Sequence, residues 1–266
     1  DGYLANLRLF VGTSTIPNTY HDKKVLDLDF KPTRKSYLFK DNNNKCVIHP
    51  VNITQRDYQD SQYCVTLDGI NQCLQLGNNE LLNFGFDDFV IYVKFKMNDI
   101  SDAFNMILSG YNNGSSVNKR AYFGVGGSNR GDIYTNKILF DISDDSPDIK
   151  IVSDINIVVG TIYSVILSMK DKVLSLTIND VVQNSTAVTN TGVDFNSGNV
   201  TIGANGVASM DPSSYSAMTI YSVKVLRNTT DLSLLRNIDD VSNNYSYYLN
   251  DELLLSDSIT QPHTLK

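Results

Sequence analysis

Asp88-Phe89-Val90-Ile91-Tyr92-Val93-Lys94-Phe95-Lys96-Met97 is the stretch that decides the fold. Phe89, Ile91, Val93, Phe95 and Met97 fall on one side of it, and Tyr92, Lys94 and Lys96 on the other. Successive side chains of a pleated strand leave opposite faces, so this period of two predicts a strand with one buried face and one wet face. The pattern returns in Tyr163, Val165, Leu167 and Met169, and again, after Lys170-Asp171-Lys172, in Leu174, Leu176 and Ile178. Two alternating runs around a short polar turn predict a hairpin. Asn179-Asp180 then turns the chain into Val181-Val182, which makes a three-strand meander. Short strands separated by turn clusters over most of the chain predict an all-β fold, a two-sheet antiparallel jelly-roll sandwich. Its expected interior includes Phe89, Ile91, Val93, Phe95, Val165, Leu167, Leu174, Leu176 and Ile178. One helix is expected, a short C-terminal one over Thr230–Ile238, with Thr230 or Asp231 as cap and Leu232, Leu234 and Leu235 as its apolar stripe.

Composition narrows the function classes. The net charge is -7 with 22 Lys+Arg, the wrong balance for a surface that neutralises nucleic-acid phosphates. Apolar runs such as Ile155–Val159 are far short of the roughly 20 residues that span a bilayer, so membrane insertion is not expected. Cys46, Cys64 and Cys73 form no CxxC pair, and His21, His49 and His263 are scattered singly, a poor arrangement for zinc. Buried thiols are the expectation for the cysteines, with a Cys64–Cys73 bridge as the alternative. Glu80 and Glu252 are the only glutamates, and the remaining acids are aspartates. With many Asn, Ser, Thr and Gly residues, that favours turns over helix interiors.

A second pattern concerns organisation. Gly2-Tyr3-Leu4-Ala5-Asn6-Leu7-Arg8-Leu9-Phe10-Val11-Gly12-Thr13-Ser14 resembles Met218-Thr219-Ile220-Tyr221-Ser222-Val223-Lys224-Val225-Leu226-Arg227-Asn228-Thr229-Thr230, and one domain fits between them. The expected division is residues 1–20 as the closing strand of a preceding sandwich, 21–61 as a connecting segment, 62–236 as the sandwich, and 237–266 as a tail. A repeat at this distance, with a chain beginning at Asp1, suggests a tandem array and a piece of a longer protein.

The order of the pieces resembles the laminin-G and concanavalin-A-like lectin superfamily, in the branch found in bacteriophage structural proteins. Val65-Thr66-Leu67-Asp68-Gly69-Ile70-Asn71-Gln72-Cys73-Leu74-Gln75-Leu76 is similar to its opening, followed by Leu82-Asn83-Phe84-Gly85 and the strand above. Gly160-Thr161-Ile162-Tyr163-Ser164-Val165-Ile166-Leu167-Ser168 and Leu174–Asp180 are similar to its middle, and Val200-Thr201-Ile202-Gly203 with Met218–Thr230 to its end. The resemblance implies the concanavalin-A-like sandwich, which hosts lectins, glycosidases, lyases and structural modules alike.

Glycosidases on this fold carry paired carboxylates along one strand, and the resemblance implies a Glu-x-Asp-x-x-Glu run that this chain does not contain. No Gly-x-Ser-x-Gly elbow occurs either. The expectation is therefore a protein that is not an enzyme. Glycan recognition needs aromatic faces for sugar rings and amides, carboxylates or guanidinium groups for hydroxyls, on loops held by a rigid sheet. Three clusters supply them: Tyr111, Asn112 and Asn113 with Arg120; Asn129, Arg130 and Asp132 with Tyr134; and Asn205 with Asp211 and Tyr215. No cofactor is expected beyond calcium, for which Asp141, Asp144, Asp145 and Asp148 have the oxygen density. A solvated turn is the plainer account of that run.

The expected function is a virion or surface-appendage module, such as part of a phage tail fibre, that binds a cell-surface glycan or a protein partner through its loops. A purely structural decoration or assembly protein is the first alternative, and a polysaccharide-degrading enzyme or its accessory domain the second. Expected partners are a surface glycan or other virion subunits, with a homo-oligomer as a candidate assembly. The expected location is the phage particle or the extracellular surface.

Overall fold

A computed structural model describes residues 24–29, 46, 48–53, 58–59, 64–77, 80–111, 120–143, 149–189, 192–195, 199–205, 214–235, 244–249 and 252–258. Residues 1–20, on which the repeat and the preceding-domain expectation rest, lie outside them. The chain divides into two compact units, 23–231 on one hand and 1–22 with 232–266 on the other.

The larger unit is a sandwich of antiparallel strands. In chain order these are β1 (Lys24–Asp29), β2 (His49–Val51), β3 (Tyr58–Gln59), β4 (Cys64–Asp68), β5 (Cys73–Gly77), β6 (Asn83–Gly85), β7 (Phe89–Met97), β8 (Phe104–Tyr111), β9 (Arg120–Gly126) and β10 (Ile138–Ser143). They continue as β11 (Ile149–Val152), β12 (Ile162–Lys170), β13 (Val173–Ile178), β14 (Val181–Ala187), β15 (Val193–Asp194), β16 (Asn199–Ile202) and β17 (Ala217–Arg227).

One sheet has eight strands, in the order β14-β13-β12-β7-β17-β4-β3, with β1 also on β17. The eleven residues of β17 make this branching possible: Ala217–Ile220 pair with β4, Ser222–Leu226 pair with β1, and the opposite edge runs along β7. The other main sheet has seven strands, in the order β11-β10-β9-β8-β16-β5-β2, and β6 with β15 forms a small separate pair. In the smaller unit, β18 (Asn244–Leu249) and β19 (Glu252–Ser258) form an antiparallel hairpin.

The core lies between the two main sheets, where the alternation of β7 placed it. Phe89, Ile91, Val93, Phe95, Val165, Leu167, Leu174, Leu176 and Ile178 are all buried, whereas Lys94 on the other face of β7 is exposed. Phe84 stacks on Phe89 at 4.3 Å between ring centroids, and Phe195 meets Phe84 edge-on at 6.4 Å. Each fully buried large apolar side chain contributes about 1.5–3 kcal/mol. Both hairpin turns have positive φ at their two central residues, Asp171 (50°) with Lys172 (61°) and Asn179 (48°) with Asp180 (65°). That is the type I′ geometry that matches the right-handed twist of a hairpin, and Asn and Asp tolerate it best.

The expected C-terminal helix over 230–238 is described only to Leu235, and its described part is not α-helical. Leu232–Leu235 make a single 3-10 turn, and no α-helix occurs among the described residues. The Asp231 N–H does donate to Thr229 Oγ1, so the capping chemistry is present. One short apolar run after a left-handed Asn228 does not offset the cost of nucleating an α-helix. Cys46, Cys64 and Cys73 are buried thiols with no disulfide between them. Burial pushes the Cys73 thiol up to about 11 and raises that of Cys64.

Candidate binding face on the seven-stranded sheet

Strand pairing builds a feature that no local stretch of the chain contains. His49, Gln75, Thr201, Ser109, Tyr122, Asp141 and Lys150 are register partners in succession, one from each of β2, β5, β16, β8, β9, β10 and β11. Every member is polar. Their chain neighbours Leu74, Val200, Ile202, Leu108, Ala121, Phe123, Phe140, Ile142 and Ile151 belong to the main core, so the row stands on the outer face of the sheet.

The middle of the row is tightly knit. The Tyr122 hydroxyl donates to Asp141 Oδ2 at 2.9 Å, and Lys150 Nζ lies 3.7 Å from the same oxygen. Asp141 is 1% exposed, so the first aspartate of the candidate calcium run is a strand residue held by a phenol and an ammonium. Asp144, Asp145 and Asp148 lie outside the described residues. Beside the row, Met106, Tyr122 and Leu139 form a small outer apolar cluster with Phe104, Tyr134 and Val152 packed against it.

Each loop cluster singled out from the sequence has a described member on or beside β8. At one end of β8, Tyr111 is the register partner of Arg120 on β9 and of Asn199 on β16. Asn112 and Asn113 lie outside the described residues. At mid-strand, Ser109 Oγ donates to Asn205 Oδ1 at 3.1 Å, while Thr201 Oγ1 donates to the Ala204 carbonyl at 2.6 Å, folding the segment after β16 back over the row. Tyr215 sits next to Ser216, whose N–H donates to the Gly203 carbonyl, and Asp211 lies outside the described residues.

The other end of β8 carries the third cluster. Arg130 places its guanidinium carbon 4.1 Å from the Phe104 ring centroid and 5.0 Å from that of Tyr134. Its Nε donates to both oxygens of Asp132 at 3.0 Å, and Nη2 donates to Oδ2 at 2.6 Å. The hydrogen bond from Arg130 holds the Asp132 carboxyl below its ordinary value, and the same bond raises the guanidinium pKa. Asp132 Oδ1 also accepts the Tyr134 N–H at 2.9 Å, and Thr135 Oγ1 accepts from Asp132 N–H while donating to its carbonyl. Asn129 is exposed at the loop's edge. Sequence reasoning grouped these residues without finding the fork between Arg130 and Asp132 or the ring of Phe104 beneath it. Their spacing of two in a Gly-containing loop was the available signal for the fork.

No protein-family profile and no curated protein matches the chain. Solved structures do. The binding domain of botulinum neurotoxin serotype D/C is 12% identical with a TM-score of 0.55, over 81% of this chain and 51% of that one. The binding domain of botulinum neurotoxin DC in complex with rat synaptotagmin II is 13% identical with a TM-score of 0.54, over 85% of this chain and 55% of that one. Domain 4 of a GH43 extracellular arabinanase from Geobacillus stearothermophilus, in complex with arabinotriose, is 11% identical with a TM-score of 0.53, over 77% and 92% of the respective chains. The chain thus spans about half the length of the toxin domains. At these identities the likeness shows the fold alone, a β-sandwich shared with binding domains.

Proposed function

We propose that the chain is a non-enzymatic binding module of a virion or surface appendage, and that it holds a surface glycan on the outer face of its seven-stranded sheet. The observation that carries this reading is the meeting of two polar and aromatic groups along β8, Asn205 on Ser109 and Arg130 on Phe104, beside a row of polar residues from every strand of that sheet. Thr201, Ser109, Tyr122 and Asp141 in the middle of the row are buried and brace the sheet, so the groups a ligand meets are those at the row's ends, His49, Gln75 and Lys150, and those of the loop 126–137. That spread suits an extended chain of sugar rings better than a compact ligand. The similar structures lend support, since one neighbour is bound to arabinotriose and another to synaptotagmin.

Chemistry on the row supports a binding role over a catalytic one. Glycoside hydrolysis uses two carboxyl groups about 5–9.5 Å apart. Among the described residues the row contributes one, Asp141, already engaged by Tyr122 and Lys150. Glu80 is exposed at the start of the 3-10 turn before β6, and Glu252 lies in the hairpin of the other unit. The structural alternative also has an observation behind it: Arg130 Nε and Nη2 with Asp132, and Ser109 with Asn205, are paired within the chain and need no ligand.

Calorimetric titration with a panel of bacterial and algal oligosaccharides, on the wild type and on Tyr111→Ala and Arg120→Ala, tests the reading. Saturable binding that either variant weakens by about tenfold, without release of shorter sugars, is expected. Binding untouched by both variants, or none to any glycan, contradicts it; product release that stops on substituting Asp141 restores the enzyme alternative.

A further inference from the structure

Arg130 is held by rings as well as by its carboxylate partner. Phe104 and Tyr134 pack on its guanidinium, and the side chain is 14% exposed. The edge formed by Nε and Nη2 is directed at Asp132, whose side chain is 40% exposed, while Nη1 is buried and makes no hydrogen bond. A bidentate Arg–carboxylate pair is the stronger kind of near-surface ion pair, and here it acts together with the two rings. The cation's position therefore does not depend on Asp132 alone, since stacking on aromatic faces fixes a guanidinium as well.

Nor does the loop depend on the charge of Asp132. The bonds between Asp132 and Thr135 use the Asp132 backbone, and the Tyr134 N–H needs only a carbonyl-type oxygen to accept it. The carboxylate thus occupies the fork of a pre-oriented guanidinium that a second carboxylate would fit equally well. Two bidentate carboxylates cannot share one edge.

We propose that the Arg130 fork recognises a carboxylate-bearing saccharide, with Asp132 as the internal carboxylate that the ligand's displaces. The proposal deepens the glycan-binding reading and rests on it. Displacement conserves the donor count at Arg130: Nε and Nη2 exchange one pair of carboxylate oxygens for another, while Asp132 turns its released charge, and Tyr134 its freed N–H, to water. The net charge of -7 opposes the approach of an anionic ligand, so selectivity for one requires a local, positioned cation of this kind.

The test pairs each acidic sugar with its neutral counterpart: sialyllactose with lactose, and a short oligogalacturonate with its methyl ester. Affinities are measured for the wild type, Asp132→Asn and Arg130→Lys. Asn at 132 keeps an oxygen for the Tyr134 N–H and discards the competing charge. The acidic member of at least one pair should bind about tenfold more tightly than the neutral one, and Asp132→Asn should strengthen that member alone by a further three- to tenfold or so. Arg130→Lys should remove the preference between the members of the pair, because an ammonium lacks the fork. Which pair responds distinguishes a sialate from a uronate source. Neutral sugars binding as well as acidic ones, or an Asp132→Asn protein with unchanged acidic affinity, overturns this inference while the glycan-binding reading stands. Absence of binding by all four sugars overturns this inference, and it counts against that reading only if the wider panel is silent too.

Discussion

Replacing Phe95 by Ala removes a ring at the centre of the sandwich. Phe95 is 0% exposed on β7, flanked in register by Tyr163 of β12 and Ile220 of β17, with the Tyr163 ring 6.3 Å away. Strands on both sides fix the backbone, so the site collapses little and the substitution leaves a cavity. Phe→Ala in such a setting costs about 3–5 kcal/mol, from lost transfer energy plus the cavity term. For a unit spanning residues 23–231, each kcal/mol shifts the melting temperature by about 2–4 °C, so the expected drop is about 6–20 °C. Urea unfolding followed by circular dichroism measures it, with Lys94→Ala as the exposed same-strand control, expected within about 0.5 kcal/mol of the wild type. A Phe95→Ala loss below about 1 kcal/mol at unchanged m-value would refute the placement of this face in the core.

Three further outcomes follow from other parts of the unit. Gly110→Ala should destabilise by about 3 kcal/mol or more in the same urea assay, because a Cβ there would lie 1.8 Å from the Phe195 carbonyl oxygen and 2.6 Å from its carbon, both backbone atoms. Lys172→Gly should raise thermal stability by about 0.5–1 kcal/mol, since it gives the turn the Asp-Gly pair preferred where both φ values are positive. Asp99 is held below its ordinary 3.8 by its hydrogen bonds to Ser101, so its contribution is fully present above that value and disappears as pH falls through the folded pKa. A stability deficit of Ser101→Ala at about pH 6 should therefore shrink steadily as pH is taken below 3.8, and a deficit independent of pH would count against the assignment.

What could be read from the chain was what repeats locally. Period-two runs identified β7, β12 and β13 with their buried faces, and Asp171, Asn179 and Asp180 announced the turns because those residue types tolerate positive φ. Long-range pairing was not legible. The connecting segment expected over 21–61 contains β1, and nothing near it in the chain reveals that Lys24–Asp29 pair with Ser222–Leu226. The same holds for the candidate face. Ser109, Tyr122, Asp141 and Thr201 are unremarkable one at a time, and only the register of β16, β8, β9 and β10 sets them in line. Arg130 and Tyr134 were picked for their chemistry, but Phe104, which supports Arg130, lies 26 positions earlier in the chain and carries no mark of that role. The expected helix failed for the opposite reason: Leu232, Leu234 and Leu235 supplied a local signal too short to propagate.

The central claim is that ligands are held on the outer face of the seven-stranded sheet. Backbone amide shifts of the isotopically labelled protein, followed through titration with the tightest-binding oligosaccharide of the panel, test it most directly. The account predicts that the largest changes fall on β8, β9 and β10 and on the loop 126–137, with β12 and β13 silent. Changes confined to β12, β13 and β14 of the other sheet, with Ser109, Tyr122 and Arg130 unmoved, would contradict it.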